Sequence, residues 1–253
     1  MDRMSRLRQV VIGAAVMVSL VGTASAAELK IFGSRVTKMV VGDLGAGFEQ
    51  ATGNKLTVVT DVAAVMKRRI EQGEPFDVAV LVDFQADELI RKGMLVPGSR
   101  ADVMKAGIGV AVKRGAPKPD ISTVAAFKQA LLDAKSITYL KEGASTRHLV
   151  KVLAELGIAD ALKPKTIQPT TESVSEAVAA GEVEIGIIVI PNILSVPGAE
   201  LVGPLPEEIQ SYITFTAAVS QQSANQSAAR EVIRLLQSPA GLQSIRKNGM
   251  EPG

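Results

Sequence analysis

The sequence predicts an α/β protein built as two lobes, and three observations carry that prediction. Short β-branched runs alternate with longer amphipathic runs from residue 29 to the end of the chain. The first third reads β-α-β-α-β, an order that requires parallel strands joined by crossover helices. Two further strands, near Lys105 to Val112 and near Ser211 to Ser220, read as crossings between two such units, which makes a hinge with a cleft beside it.

The elements follow in order. Strands are expected at Leu29 to Phe32, Leu56 to Thr60 and Val78 to Val82, with helix patterns at Val36 to Gly53 and Val62 to Gly73 between them. Asp61 stands before the second helix as an N-cap, and Gly73 closes it where a left-handed residue is wanted. A helix at Ala86 to Lys92 stops at Gly93. Beyond Val96-Pro97-Gly98, a strand at Gly109 to Val112 enters a Pro-rich break. The second series has a helix at Thr123 to Ala134, a strand at Ser136 to Tyr139, and helices at Arg147 to Leu156 and Thr171 to Ala180, each followed by glycine. A strand at Ile185 to Val189 runs into Pro191-Asn192. Ile213 to Ala218 returns the chain to a last amphipathic helix, Ala224 to Gln237.

The first 26 residues read as a secretory signal peptide: Arg3, Arg6 and Arg8 precede an apolar stretch from Val10 to Gly22, and Ala24-Ser25-Ala26 supplies an A-x-A cleavage site. The apolar run falls short of the roughly 18 to 20 residues that a membrane span needs. Without Asp2 and the three arginines, 25 basic residues face 25 acidic ones, so the slight basicity belongs to the export segment. A neutral chain without a basic tract predicts no nucleic-acid partner. The absence of cysteine excludes disulfides and thiolate chemistry, and the single histidine, His148, argues against a metal centre; no metal and no cofactor is expected.

Five stretches resemble a known family. They are the strand-Gly-Ser opening at Ile31 to Ser34, RRIEQGEPFDVAVLVD (Arg68 to Asp83), GASTRHLVKVLAELGI (Gly143 to Ile158), AVAAGEVEIGIIV (Ala177 to Val189) and the terminal VIRLLQSPAGLQSIRKNGMEP. Together they are similar to periplasmic substrate-binding proteins of ABC importers, in the molybdate-binding-protein-like branch. The resemblance implies a two-lobed type II periplasmic binding fold, each lobe a mixed, mostly parallel sheet flanked by helices. Lobe 1 would hold residues 27–107 and 217–253, and lobe 2 residues 108–216. It also implies a monomeric, non-catalytic receptor in the periplasm that closes over a small anionic solute and hands it to a permease.

In molybdate binders of this family the anion is held by serine hydroxyls, by backbone N–H groups at helix starts and by a tyrosine. Carried over, Ser34 matches the first serine. The second serine falls at Ala63 and Ala64, the second-lobe loop at about Ser145 beside Thr146, and the tyrosine near Val189 or Ile190. Two expected hydroxyls are therefore missing, and the opening carries Arg35 where the family has an apolar or small residue. Arg35 and Arg147 each follow a helix start, and guanidinium offers a bidentate fork to planar carboxylates. The expected ligand is an organic carboxylate, with a molybdate- or tungstate-type oxyanion as the alternative.

Blander readings stand beside these. Ser34 and Ser145 are also ordinary N-cap residues, and Arg68 and Arg69 suit a solvated helix face. Asn192, after a strand and a proline, suits a ligand amide or a turn cap equally. A secreted hydrolase using Ser34 or Ser145 with His148 is the alternative from another class, but no acid partner and no G-x-S-x-G elbow accompanies them. The glycines of GDLGAG have neither the spacing nor the position of a dinucleotide fingerprint.

Overall fold

The computed structural model describes residues 26–168 and 174–253. The expected signal peptide therefore lies outside the described residues except for Ala26, as does the start of the helix expected from Thr171.

The first lobe opens with β1 (Glu28–Gly33), α1 (Arg35–Thr52), β2 (Lys55–Thr60), α2 (Ala63–Glu71), β3 (Val78–Val82) and α3 (Asp83–Arg91). β1 pairs in parallel with both β2 and β3, as the βαβ order requires. Period-two alternation places Leu29, Ile31, Val78, Val80 and Val82 in one apolar cluster with α1. Phe32, Ala79 and Leu81 point the other way, into a second cluster with Met66 and Ile70 of α2 and Leu89 of α3. Both sheet faces are thereby covered, and each fully buried large side chain such as Phe32 contributes about 1.5–3 kcal/mol.

One strand then ties the molecule together. β4 (Ala101–Lys113) is 13 residues long, where the sequence pattern shows only Gly109 to Val112. The first part escapes notice because Asp102, Lys105 and Gly107 interrupt its apolar run, although pairing on both sides buries Val103, Met104 and Ala106.

The second lobe adds α4 (Val124–Asp133), β5 (Ile137–Thr138), α5 (Thr146–Glu155), α6 (Ala159–Leu162), β6 (Thr166–Ile167), α7 (Val174–Ala180), β7 (Ile185–Val189), α8 (Ile190–Leu194) and β8 (Ala199–Pro204). The chain returns through β9 (Tyr212–Val219), α9 (Gln226–Leu236), α10 (Pro239–Lys247) and β10 (Glu251–Pro252). Strand order is β2-β1-β3-β9-β4-β7-β5-β6, with β8 and β10 also on β4.

The hinge is legible in the register. Ala101 to Gly107 of β4 pair with β9, whereas Ile108 to Ala111 pair with β7 and Gly109 to Lys113 with β8. β9 pairs only with β3 and the first part of β4, so from Tyr212 onward it lies in the first sheet. At the change of partner the Gln210 side chain imitates a strand: its Oε1 accepts from Ile108 N at 3.0 Å and its Nε2 donates to Ile108 O at 2.9 Å. Both backbone groups of the pivot residue are thus satisfied.

Helix punctuation departs from expectation at α2. Its N-cap is Val62, not Asp61; the Asp61 carboxylate accepts from the neighbouring Val62 N–H and leaves the α2 amides alone. Gly73 follows α2 in the left-handed region with φ 82°. Pro191-Asn192, into which the strand at Ile185 to Val189 runs, sits inside the short helix α8. Among the described residues no helix is long and apolar enough to cross a membrane.

Candidate functional site

A narrow cavity lies between the lobes at the C-terminal ends of β1, β3 and β7. It holds about 500 Å³ of space including its mouth, of which the centre of a water-sized group can visit about 30 Å³. Such a fit suits a compact ligand.

Three helix starts meet there. β1 ends at Gly33, whose hydrogen faces Thr37 so closely that a Cβ would stand 2.6 Å from the threonine Oγ1. Glycine thus lets the strand pass directly under the first turn of α1. Ser34 is the N-cap of α1 by backbone, with its carbonyl accepting from Lys38 N at 3.1 Å, but its hydroxyl caps nothing. The Ser34 Oγ is buried and without a partner. The starts of α2 and α5, at Val62-Ala63 and Gly143-Ala144-Ser145, also line the cavity, and neither helix has a side-chain cap. Uncapped helix starts concentrate unpaired N–H groups and positive dipole ends, which favour an anion.

Asn192 completes the polar set. It is 4% exposed, lines the cavity, and its Oδ1 has no partner. An Asn amide turned by half a rotation exchanges that acceptor for two donors, so Asn192 can present N–H groups to an anion. The rest of the wall is largely apolar, with Val36, Met66, Val80, Val82, Ile188, Val189 and Phe215. Among the described residues no lysine or arginine lines it, and Asp61 is the single carboxylate there, turned onto Val62 N at 2.8 Å and lying 4.0 Å from Arg69.

The other residues singled out in the sequence take different places. Thr146 holds the loop before α5: its Oγ1 donates to Leu140 O at 2.8 Å and accepts from Gly143 N at 2.9 Å. Ala64 is set back from the wall, one residue beyond Ala63. Arg35 pairs through Nη1 with Glu176 of α7 at 2.5 Å, and Arg147 lays its guanidinium 3.8 Å from the ring centre of Phe84 in α3. Neither arginine lines the cavity. Arg68, read as solvated, donates through both terminal nitrogens to Glu142 at 3.0 Å. Arg69 forks onto Glu74 and covers the Phe32 ring.

His148 Nε2 donates to the Ile209 carbonyl at 2.8 Å, which fixes Nδ1 as the acceptor nitrogen, and His148 is not among the residues that line the cavity with Ser34 and Ser145. The sequence pointed to the end of β7, where the family's tyrosine position falls near Val189, but not to the loop Leu140 to Ala144, Met66 or the end of β3. Their signal was available only as position, since strand C-termini are where α/β sheets place ligands.

Comparison with known proteins agrees with this architecture. The chain is 29% identical over 255 residues to an aconitate isomerase from a Pseudomonas species, covering 98% of this chain and 97% of that protein. It is 26% identical over 211 residues to the molybdate-binding protein ModA of Rhodobacter capsulatus, covering 82% and 81%. The periplasmic molybdate-binding protein of Azotobacter vinelandii superposes with a TM-score of 0.74 at 18% identity, covering 88% of this chain and 98% of that one, a likeness of fold. That neighbour has the two-lobed type II periplasmic binding fold expected from the sequence. Residues 29–251 match the bacterial extracellular solute-binding protein family. The chain therefore belongs to that family, in its molybdate-binding-protein-like branch, as a solute-binding protein of the ABC-transporter type.

Proposed function

We propose that the protein is a monomeric periplasmic receptor, exported by its N-terminal signal peptide, that captures a small organic carboxylate between its lobes and delivers it to an ABC importer permease. The observation that carries this reading is the mixed lining of the cavity, which combines three uncapped helix starts with a largely apolar wall. An organic anion combines the same two chemistries. Its carboxylate would take the Ser34 hydroxyl, the backbone N–H groups at Ala63, Ala64 and Ser145, and the turned Asn192 amide. Its carbon body would lie against Met66, Val80 and Phe215. A bare metal oxyanion has no apolar part and needs donors around every oxygen.

The relative named for aconitate, a tricarboxylate, supports the same ligand class. The tightness of the cavity favours mono- and dicarboxylates of few carbons. The molybdate-binding relatives, together with a wall that among the described residues carries no lysine or arginine, support a second reading, a tetrahedral oxyanion held by N–H groups alone. The hydrolase reading has less support, because His148 does not line the cavity that holds Ser34 and Ser145.

A thermal-shift panel of mono-, di- and tricarboxylates, molybdate, tungstate, sulfate and phosphate tests the proposal. A ligand at about a hundred times its dissociation constant adds roughly 2.7 kcal/mol of stability. A short carboxylate is expected to shift the transition and to be recovered unchanged after incubation. A shift with molybdate and none with any carboxylate would overturn the assignment of ligand class, and conversion of the carboxylate would overturn the receptor reading.

A further inference from the structure

The guanidinium groups of Arg35, Arg68 and Arg147 all cross from one lobe to the other, and none of them lines the cavity. Arg35, at the first position of α1 in the first lobe, meets Glu176 of α7 in the second. Arg68 of α2 in the first lobe meets Glu142, in the loop before α5 of the second. Arg147 of α5 in the second lobe stacks on Phe84 of α3 in the first. Each contact joins a helix that begins at the cavity, or the element beside it, to its counterpart across the cleft.

We infer that these three contacts form a latch around the mouth of the cleft, which sets the equilibrium between open and closed lobes. The chemistry of each arm fits that task better than ligand contact. Glu142 and Glu176 would oppose an anion if they faced it, and here each is turned onto an arginine of the other lobe. Phe84 is 36% exposed, an unusual place for a large apolar ring, and the guanidinium of Arg147 covers one of its faces. All three pairs must part when the lobes separate, because neither β4 nor β9 constrains the rim as they do the hinge. A receptor biased toward closure has its apparent affinity and release rate set partly by the latch, whichever anion it carries.

The test needs no ligand and is therefore independent of the reading above. The chain has no cysteine, so Arg91→Cys with Lys151→Cys gives one spin label on an exposed helix residue of each lobe. Pulsed dipolar spectroscopy on the full mature chain then reads the distribution of interlobe distances. Exposed or half-exposed pairs are individually weak, so each of Glu142→Ala, Glu176→Ala and Phe84→Ala is expected to raise the ratio of open to closed molecules about two- to fivefold. The three together should raise it about tenfold or more. The exchanged pair Arg68→Glu with Glu142→Arg should restore the parent distribution, and molar salt should act on the two ionic arms while sparing the ring contact. Thermal unfolding of each variant controls for loss of fold. Distance distributions that are the same in the parent and in the triple variant would overturn the latch, as would an exchanged pair no better than either single reversal.

Discussion

The floor of the cleft and its rim stand a few residues apart in sequence and use opposite chemistry. On the floor Ser34, Ser145 and Asn192 sit among apolar side chains at uncapped helix starts, and among the described residues no cationic side chain lines it. One position beyond Ser34 and two beyond Ser145, Arg35 and Arg147 carry full charges, and each meets a residue of the opposite lobe. The difference is one of solvation. A partial charge on a backbone N–H can be buried at modest cost and retains its strength in a dry site, whereas a guanidinium buried there would need a permanent counterion. In the proposed division, full charges at the wet rim would hold the lobes and partial charges on the dry floor would hold the ligand.

Gly33→Ala should break the floor most severely. The new Cβ would stand 2.6 Å from Thr37 Oγ1, and overpacking of this kind costs about 1–3 kcal/mol. Urea unfolding is expected to show that loss, and ligand binding should fail in protein that remains folded. Asn192→Leu comes next. Removing an amide that donates to a buried anion should weaken binding about ten- to a hundredfold. The melting temperature of the free protein should hold or rise, because a buried acceptor without a partner is removed as well.

At the rim the effects should be smaller. Glu142→Ala is expected to speed ligand release about two- to fivefold in stopped-flow exchange, the modest size of an exposed pair. The smallest effect lies away from the cleft, among Lys67, Glu71, Glu88 and Lys92 on α2 and α3 of the first lobe. Hydrogen bonds from Lys92 and then Lys67 hold the Glu88 carboxyl at about 2, below its ordinary 4.5. A carboxyl depressed in the folded state adds stability above its unfolded value, and that stability is lost as pH falls from about 4.5 toward 2. Glu88→Gln should therefore lose less stability than the parent between pH 6 and pH 3 in urea melts, with interlobe distances unaffected.

Much of the frame was legible in the sequence because it depends on local periodicity. The spans Val78 to Val82 and Ile185 to Val189 coincide with β3 and β7, since a strand buried on both faces is a continuous apolar run with clear ends. The long β4 was only half legible, because its polar and glycine positions are satisfied by neighbours far along the chain. The floor followed from where strands end and helices begin. The rim did not, because Arg35 and Glu176 are distant in sequence and meet only when the lobes do. A guanidinium beside a helix start looks the same in sequence whether it turns inward to a ligand or outward to a partner.

If the floor binds and the rim latches, the two should separate in isothermal titration of the tightest-binding anion from the panel into Ser34→Ala and Arg35→Ala. Ser34→Ala is expected to lose about tenfold or more in affinity and Arg35→Ala less than about fivefold. Binding abolished by Arg35→Ala and unchanged by Ser34→Ala would contradict that division.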